Sequence, residues 1–177
     1  MVFDNADRHS QNNGKNFYLL PIYETIRLEA PLKAGGVLIF QSSGLNMDSC
    51  RSRKGGVRVW INILDASNNY VHFSIRPNEN SILFNHFSNN QWGREERMPM
   101  KGLFFKEPNP TIVIYDNGDR YQVMVDYVTV AYFEKRIKEA GVAVSYDMDI
   151  DQVSPFSNTL AMTAYTSFAD VITRVTS

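Results

Sequence analysis

Residues 57–86 read VRVWINILDASNNYVHFSIRPNENSILFNH. In VRVWINIL, Val57 to Leu64, the residues Val57, Val59, Ile61 and Ile63 fall on one face, the period of a half-buried strand. Asn68-Asn69 marks a turn. Tyr70 to Arg76 alternates again, with Val71, Phe73 and Ile75 on one face and His72, Ser74 and Arg76 on the other. Pro77-Asn78-Glu79-Asn80 has turn composition, and Ser81 to His86 follows as another strand. A hairpin that closes symmetrically on that turn sets Arg76 against Ser81 and His72 against Asn85. His72, Ser74, Arg76 and Asn85 then share a face. A His, an Arg and an Asn gathered on one sheet face are not core packing. They are donors and acceptors in a fixed array.

The same texture continues in both directions. Thr25 to Leu32 and Val37 to Ser42 precede this stretch as strands. Beyond it, Thr111 to Tyr115 and Arg120 to Val125 flank Asp116-Asn117-Gly118-Asp119, and Asn-Gly between two β-type runs is a strong hairpin signal. Val128 to Phe133, Val142 to Tyr146 and Thr159 to Thr166 complete the set. About ten short strands at this spacing predict an all-β antiparallel sandwich or barrel. Only Phe133 to Ala140, FEKRIKEA, has helical composition, and it fits a surface loop or strand end as well. Glu134 to Glu139 reads as a solvated charged edge. Met1 to Asn16 holds four Asn among few apolar residues and reads as a flexible arm before a domain at 17–177.

Composition narrows the function. The chain has 177 residues, 44% hydrophobic and 21% charged, which suits one globular domain. Lys plus Arg number 18 and Asp plus Glu 19, for a net charge of -1. That balance argues against nucleic-acid binding through bulk charge. No apolar run approaches bilayer length, so membrane insertion is not expected. The single cysteine, Cys50, cannot form an intrachain disulfide. The amino-terminal residues lack an apolar signal-peptide core, so cytoplasmic synthesis is expected, with extracellular or cell-wall delivery by an unconventional route left open. Three His and one Cys show no metal-ligand spacing, and neither a phosphate loop nor a nucleophile elbow is present. No metal or cofactor is therefore expected.

Seven residues after Asn85 comes Trp92, then Glu95 and Arg97. Glu95 and Arg97 share a strand face, while Arg94 and Glu96 point the other way. His72, Arg76, Asn85, Trp92, Glu95 and Arg97 form a sugar-binding composition. Hydroxyl groups need directional donors and acceptors. The C–H patch of a pyranose needs a flat aromatic platform, and Trp is the largest. Glu95 near Arg76 and Arg97 can hold both guanidinium groups in place. The pair Glu95-Glu96 invites a glycosidase reading, but adjacent strand residues face opposite ways and cannot flank one bond. Ser74 is a secondary candidate. His86 reads as surface or loop, and Trp60 as a structural residue on its strand.

In these residues the chain resembles a galectin, in particular a mushroom fruiting-body galectin. His, Arg four on, then Asn, Trp, Glu and Arg appear as His72, Arg76, Asn85, Trp92, Glu95 and Arg97. HFSIRPNEN, LFN, WGREER, PNPTIVIYDNGDRYQV and FEKRIKE are very close to fungal members, and the resemblance spans Phe17 to Ser167. Ser74 stands where many animal galectins have Asn, and the Arg76–Asn85 loop is short. The resemblance implies a two-sheet antiparallel β-sandwich of the jelly-roll type. It implies a lectin that binds β-galactosides such as lactose and N-acetyllactosamine without catalysis. It also implies a homodimer or homotetramer that crosslinks glycans of glycoproteins or glycolipids, and a role in fungal defence. Some fungal relatives lack the Trp and resemble chitooligosaccharide binders; Trp92 favours the galactoside reading over its alternatives, a lectin of the same fold preferring chitooligosaccharides or GalNAc-containing glycans, or an interaction protein with a vestigial sugar site.

Overall fold

The computed structural model describes residues 14–48, 56–100, 102–104, 107–149 and 152–172. Cys50 and residues 1–13 of the expected arm lie outside them. Among the described residues thirteen strands form in chain order: β1 (Lys15–Pro21), β2 (Glu24–Leu32), β3 (Val37–Gln41), β4 (Val59–Leu64), β5 (Asn69–Arg76), β6 (Ser81–Ser88) and β7 (Gln91–Trp92), then β8 (Glu96–Pro99), β9 (Thr111–Asp116), β10 (Arg120–Val125), β11 (Val128–Glu134), β12 (Gly141–Met148) and β13 (Thr159–Tyr165). A short helix, α1 (Phe168–Ile172), follows. One sheet runs β1-β13-β3-β9-β10-β11, the other β2-β12-β4-β5-β6-β7, with β8 also pairing β6. All pairings are antiparallel. The two-sheet all-β sandwich expected from the sequence is the architecture observed.

Alternation explains which face each strand buries. Val57, Val59, Ile61 and Ile63 are all nearly inaccessible, as are Val71, Phe73 and Ile75 on the next strand. Phe73 stacks on Phe84 with centroids 5.3 Å apart, and Phe84 lies 5.9 Å from Phe133 of the other sheet. Each such burial contributes about 1.5–3 kcal/mol. A smaller apolar cluster on the outer face of the six-stranded sheet, Val37, Val113 and Met124, packs under Tyr115, Tyr165 and Phe168.

Two expectations need correction. β1 begins at Lys15, inside the segment read as an arm, and pairs along its length with β13. FEKRIKEA is the strand end and loop that its composition also allows, with Glu134, Lys138 and Glu139 exposed, but its charged edge is not wholly solvated. β11 runs through Glu134, and Lys135 turns inward to an ion pair with Asp116 (2.6 Å), the two side chains 7% and 1% exposed. A buried carboxylate beside the β9–β10 turn needs a partner, and that need overrides the charged composition of the segment.

The register of β5 against β6 is the one the symmetric hairpin predicts. Arg76 pairs with Ser81, Ser74 with Leu83 and His72 with Asn85. Pro77–Glu79 form one 3₁₀ turn, closed by Asn80 at φ 48°. The β6–β7 turn is a two-residue hairpin in which Asn89 (φ 51°) and Asn90 (φ 60°) both adopt the left-handed region. Asn tolerates that conformation better than most side chains. This tight reversal brings Trp92 beside β6.

Candidate functional site

The core-facing residues of β4, β5 and β6 leave the alternate positions on the outer face of the seven-stranded sheet. A polar row crosses it in register: Ser145 of β12 pairs with Asn62 of β4, Asn62 with His72, and His72 with Asn85. Asn62 Nδ2 donates to Ser145 Oγ (2.9 Å), and Asn62 Oδ1 lies 2.8 Å from His72 Nδ1. With the amide oriented this way, the imidazole proton sits on Nδ1, and Nε2 is left as an acceptor. Burial, reinforced by the charge of Arg76, lowers the His72 pKa to about 4, so the ring is neutral at physiological pH.

Asn85 complements it. Both of its protein bonds fall on Oδ1, from the His86 backbone N–H (2.8 Å) and from Arg136 Nη1 (3.4 Å). Its Nδ2 remains to donate outward. Two opposed residues therefore present an acceptor and a donor in preset roles.

Arg76 lies one pleat beyond. Its Nε donates to Ser74 Oγ (3.4 Å) and its Nη1 is 3.5 Å from Glu79 Oε2. Ser74 has no solvent exposure and serves Arg76 as an acceptor. Arg97 of β8 reaches Glu79 Oε2 (2.9 Å) with Nη1 and Glu95 Oε1 (3.0 Å) with Nη2. Glu79 also receives Arg58 at Oε1 (3.3 Å). Burial would raise the Glu79 carboxyl, but the Arg97 bond and the charges of Arg76, Arg58 and Arg97 outweigh it and hold the group below its usual range.

The carboxylate that joins Arg76 to Arg97 is thus Glu79, not Glu95, which bonds Arg97 alone. Glu79 has only turn composition in the sequence, and the turn is what places it there. Glu95 and Glu96 turn apart, Glu95 to Arg97 and Glu96 to Arg136 (2.7 Å).

Trp92 is 55% exposed and stands edge-on to His72 (5.0 Å) and Phe87 (5.3 Å). Trp60, expected as a structural residue, shares the same outer face, half-buried, with its ring 5.8 Å from His72. His86, expected on surface or loop, lies within β6 and meets Arg136 at Nδ1 (3.2 Å). Burial and the Arg136 charge lower its pKa. All six sequence-designated residues gather on this face and its edge. Asn62, Glu79 and Arg136 join them as supports that sequence reading missed. Only Asn62 carried a signal, as the polar residue breaking VWINIL. No group of His, Cys, Asp and Glu among the described residues suits a metal ion.

A β-sandwich with a polar outer sheet face beside an exposed Trp has the architecture of a carbohydrate-binding module. Residues 27–154 match the galactoside-binding lectin family. The chain is 42% identical over 134 residues to Galectin-1 of Coprinopsis cinerea, covering 75% of this chain and 84% of that protein. Galectin-2 of the same fungus is 40% identical over the same shares. The fold is also that of the solved Caenorhabditis elegans galectin LEC-6, with TM-score 0.62, 19% identity, and coverage of 84% of this chain and 94% of that one. The chain belongs to the galactoside-binding lectins, the galectins, whose members bind sugars without catalysis. No described helix is long and apolar enough to cross a membrane.

Proposed function

We propose that this galectin binds β-galactosides such as lactose and N-acetyllactosamine through His72, Arg76, Asn85, Trp92, Glu95 and Arg97. The observation that carries the reading is the opposition of His72 and Asn85 beside Trp92. An axial 4-hydroxyl rising from a ring stacked on Trp92 can donate to His72 Nε2 while the sugar's oxygens accept from Asn85 Nδ2 and the Arg76 guanidinium. An equatorial hydroxyl points away from that convergence. Glu95 and Arg97 face the next sugar.

The recognition domain takes in β1 to β13. It acts in a homodimer or homotetramer, because one site per chain crosslinks glycans only when several are presented together. Exposed Phe17 (44%) and Leu19 (54%) on the edge strand β1 support association. Crosslinking of this kind suits a defence role on the glycans of feeding animals, with the protein acting outside the cell. Red-cell agglutination tests the reading, paired with light scattering. Lactose-reversible agglutination by a species larger than one chain is expected. A strict monomer that agglutinates nothing would overturn the crosslinking role.

A further inference from the structure

Arg136 lies in the loop after β11, 51 positions from Asn85 in sequence, yet its guanidinium is inserted behind the sugar face. Nη1 reaches Asn85 Oδ1 (3.4 Å), His86 Nδ1 (3.2 Å) and the Arg94 carbonyl (2.5 Å). Nη2 reaches the Glu96 carboxylate (2.7 Å). The guanidinium rests over the Phe133 ring at 4.9 Å, so its far side is fixed by the core. One planar fork thus ties β6 to the limb that returns through Arg94 and Glu96, and the segment between carries Trp92. The closure needs Gly93. A Cβ there would overlap the His86 ring and lie 3.1 Å from Arg136 Nη1, while Gly93 N–H donates to the His86 carbonyl (2.9 Å).

We propose that Arg136 is a positioning residue for the sugar site. It sets the polarity of Asn85 and the seat of Trp92 without touching the ligand. Asn85 is nearly buried, and its amide could serve the site with either end outward. The His86 backbone N–H and the Arg136 guanidinium are both donors, and both claim Oδ1. Oxygen therefore turns inward and Nδ2 outward, and the site asks for an acceptor at this point. The neutral His86 completes the device, since its Nδ1 can accept from Arg136 only while unprotonated. Lysine could not replace this fork. An ammonium is a point charge with no planar spread, and it cannot span acceptors on both limbs.

The inference rests on the galactoside reading, and the test separates the two. Lactose is titrated into wild type, Arg136→Lys, Arg136→Ala, Asn85→Ala and the Arg136→Ala/Asn85→Ala double variant, with a thermal melt of each. Arg136→Ala is expected to lose about ten- to a hundredfold in affinity. Arg136→Lys should recover little of it. The loss in the double variant should be clearly smaller than the product of the single losses, because one residue acts through the other. Binding by Arg136→Ala within twofold of wild type, or losses that multiply, would overturn the proposal.

A second arm uses no sugar and the milder variant. The Asn85 side-chain amide resonance should shift and broaden in Arg136→Lys, and an unchanged resonance would overturn the proposal. Failure of wild type to bind lactose would sink the galactoside reading while leaving the amide measurement to decide the role of Arg136.

Discussion

Replacing Asn62 by Leu tests whether the His72 ring is oriented by the sheet or merely buried in it. Asn62 is 8% exposed, and its amide joins Ser145 Oγ at 2.9 Å to His72 Nδ1 at 2.8 Å. Leucine keeps much of the shape and removes both bonds. Each buried group left without a partner costs about 1–3 kcal/mol. Ser145, 3% exposed, retains a rotatable hydroxyl, which favours the lower end of that range. The expected loss of stability is about 2–4 kcal/mol, and a domain with ordinary stability of about 5–15 kcal/mol stays folded.

The effect on binding is separate. Without Asn62 Oδ1 nothing holds the proton on Nδ1, and Nε2 ceases to be an obligatory acceptor. Losing about 1 kcal/mol of that bias weakens lactose about fivefold. Denaturant unfolding measures the first quantity, calorimetry the second, and histidine ¹⁵N chemical shifts the tautomer. A variant that loses stability as expected but keeps full lactose affinity would refute the orienting role.

Trp92→Ala should leave stability nearly unchanged, because the side chain is 55% exposed, while lactose affinity falls about ten- to a hundredfold, as for loss of a stacking platform worth about 1–3 kcal/mol; unchanged affinity measured by calorimetry would remove Trp92 from the site. Glu79→Gln offers one neutral carbonyl where two charged oxygens held three guanidinium groups, so lactose should bind more weakly and ¹⁵N spectra should show Arg76 and Arg97 loosened together; loosening of neither would deny Glu79 its bridging role. Binding should be constant from pH 8 to 5 and fail as the pH drops through about 4, where His72 takes up its proton. The linked stability has a definite sign: the folded pKa lies below the ordinary value of 6.5, so the unfolded chain binds the proton first, and the contribution is full above about pH 6.5 and lost as the pH falls toward 4. A His72 ring titrating near 6.5 by NMR would contradict both statements.

The hairpin at residues 70–86 was readable because three independent signals agree on its register. Alternation assigns Val71, Phe73 and Ile75 inward, Pro77 to Asn80 assigns the turn, and Ser81 to His86 supplies a matching strand. Once the register is set, the meeting of His72 with Asn85 follows. The spacing of Trp92, Glu95 and Arg97 was equally visible, as was the hairpin around Asn117-Gly118. Strand period gives a side chain's face, but it does not say which distant residue arrives behind it. Arg136 therefore looked like one more charge on a solvated edge, though the fold packs it against Asn85. Glu79 was hidden by its own turn composition, whereas Asn62 left a signal as the polar residue within VWINIL. β1 escaped notice because Phe17 and Leu19 point outward while Tyr18 and Leu20 point inward, leaving no alternation to read. β7 and β8 are short and polar, and only their pairing with β6 makes them strands.

The most direct test is one calorimetric series on the same preparation with lactose, cellobiose and chitobiose. The terminal 4-hydroxyl is axial in the first and equatorial in the other two. If His72 Nε2 and Asn85 Nδ2 converge above a ring stacked on Trp92, the equatorial sugars leave two polar contacts unmade, at about 1–3 kcal/mol each. Lactose should bind, with cellobiose and chitobiose on the order of a hundredfold weaker or worse. Chitobiose binding as tightly as lactose would contradict the account.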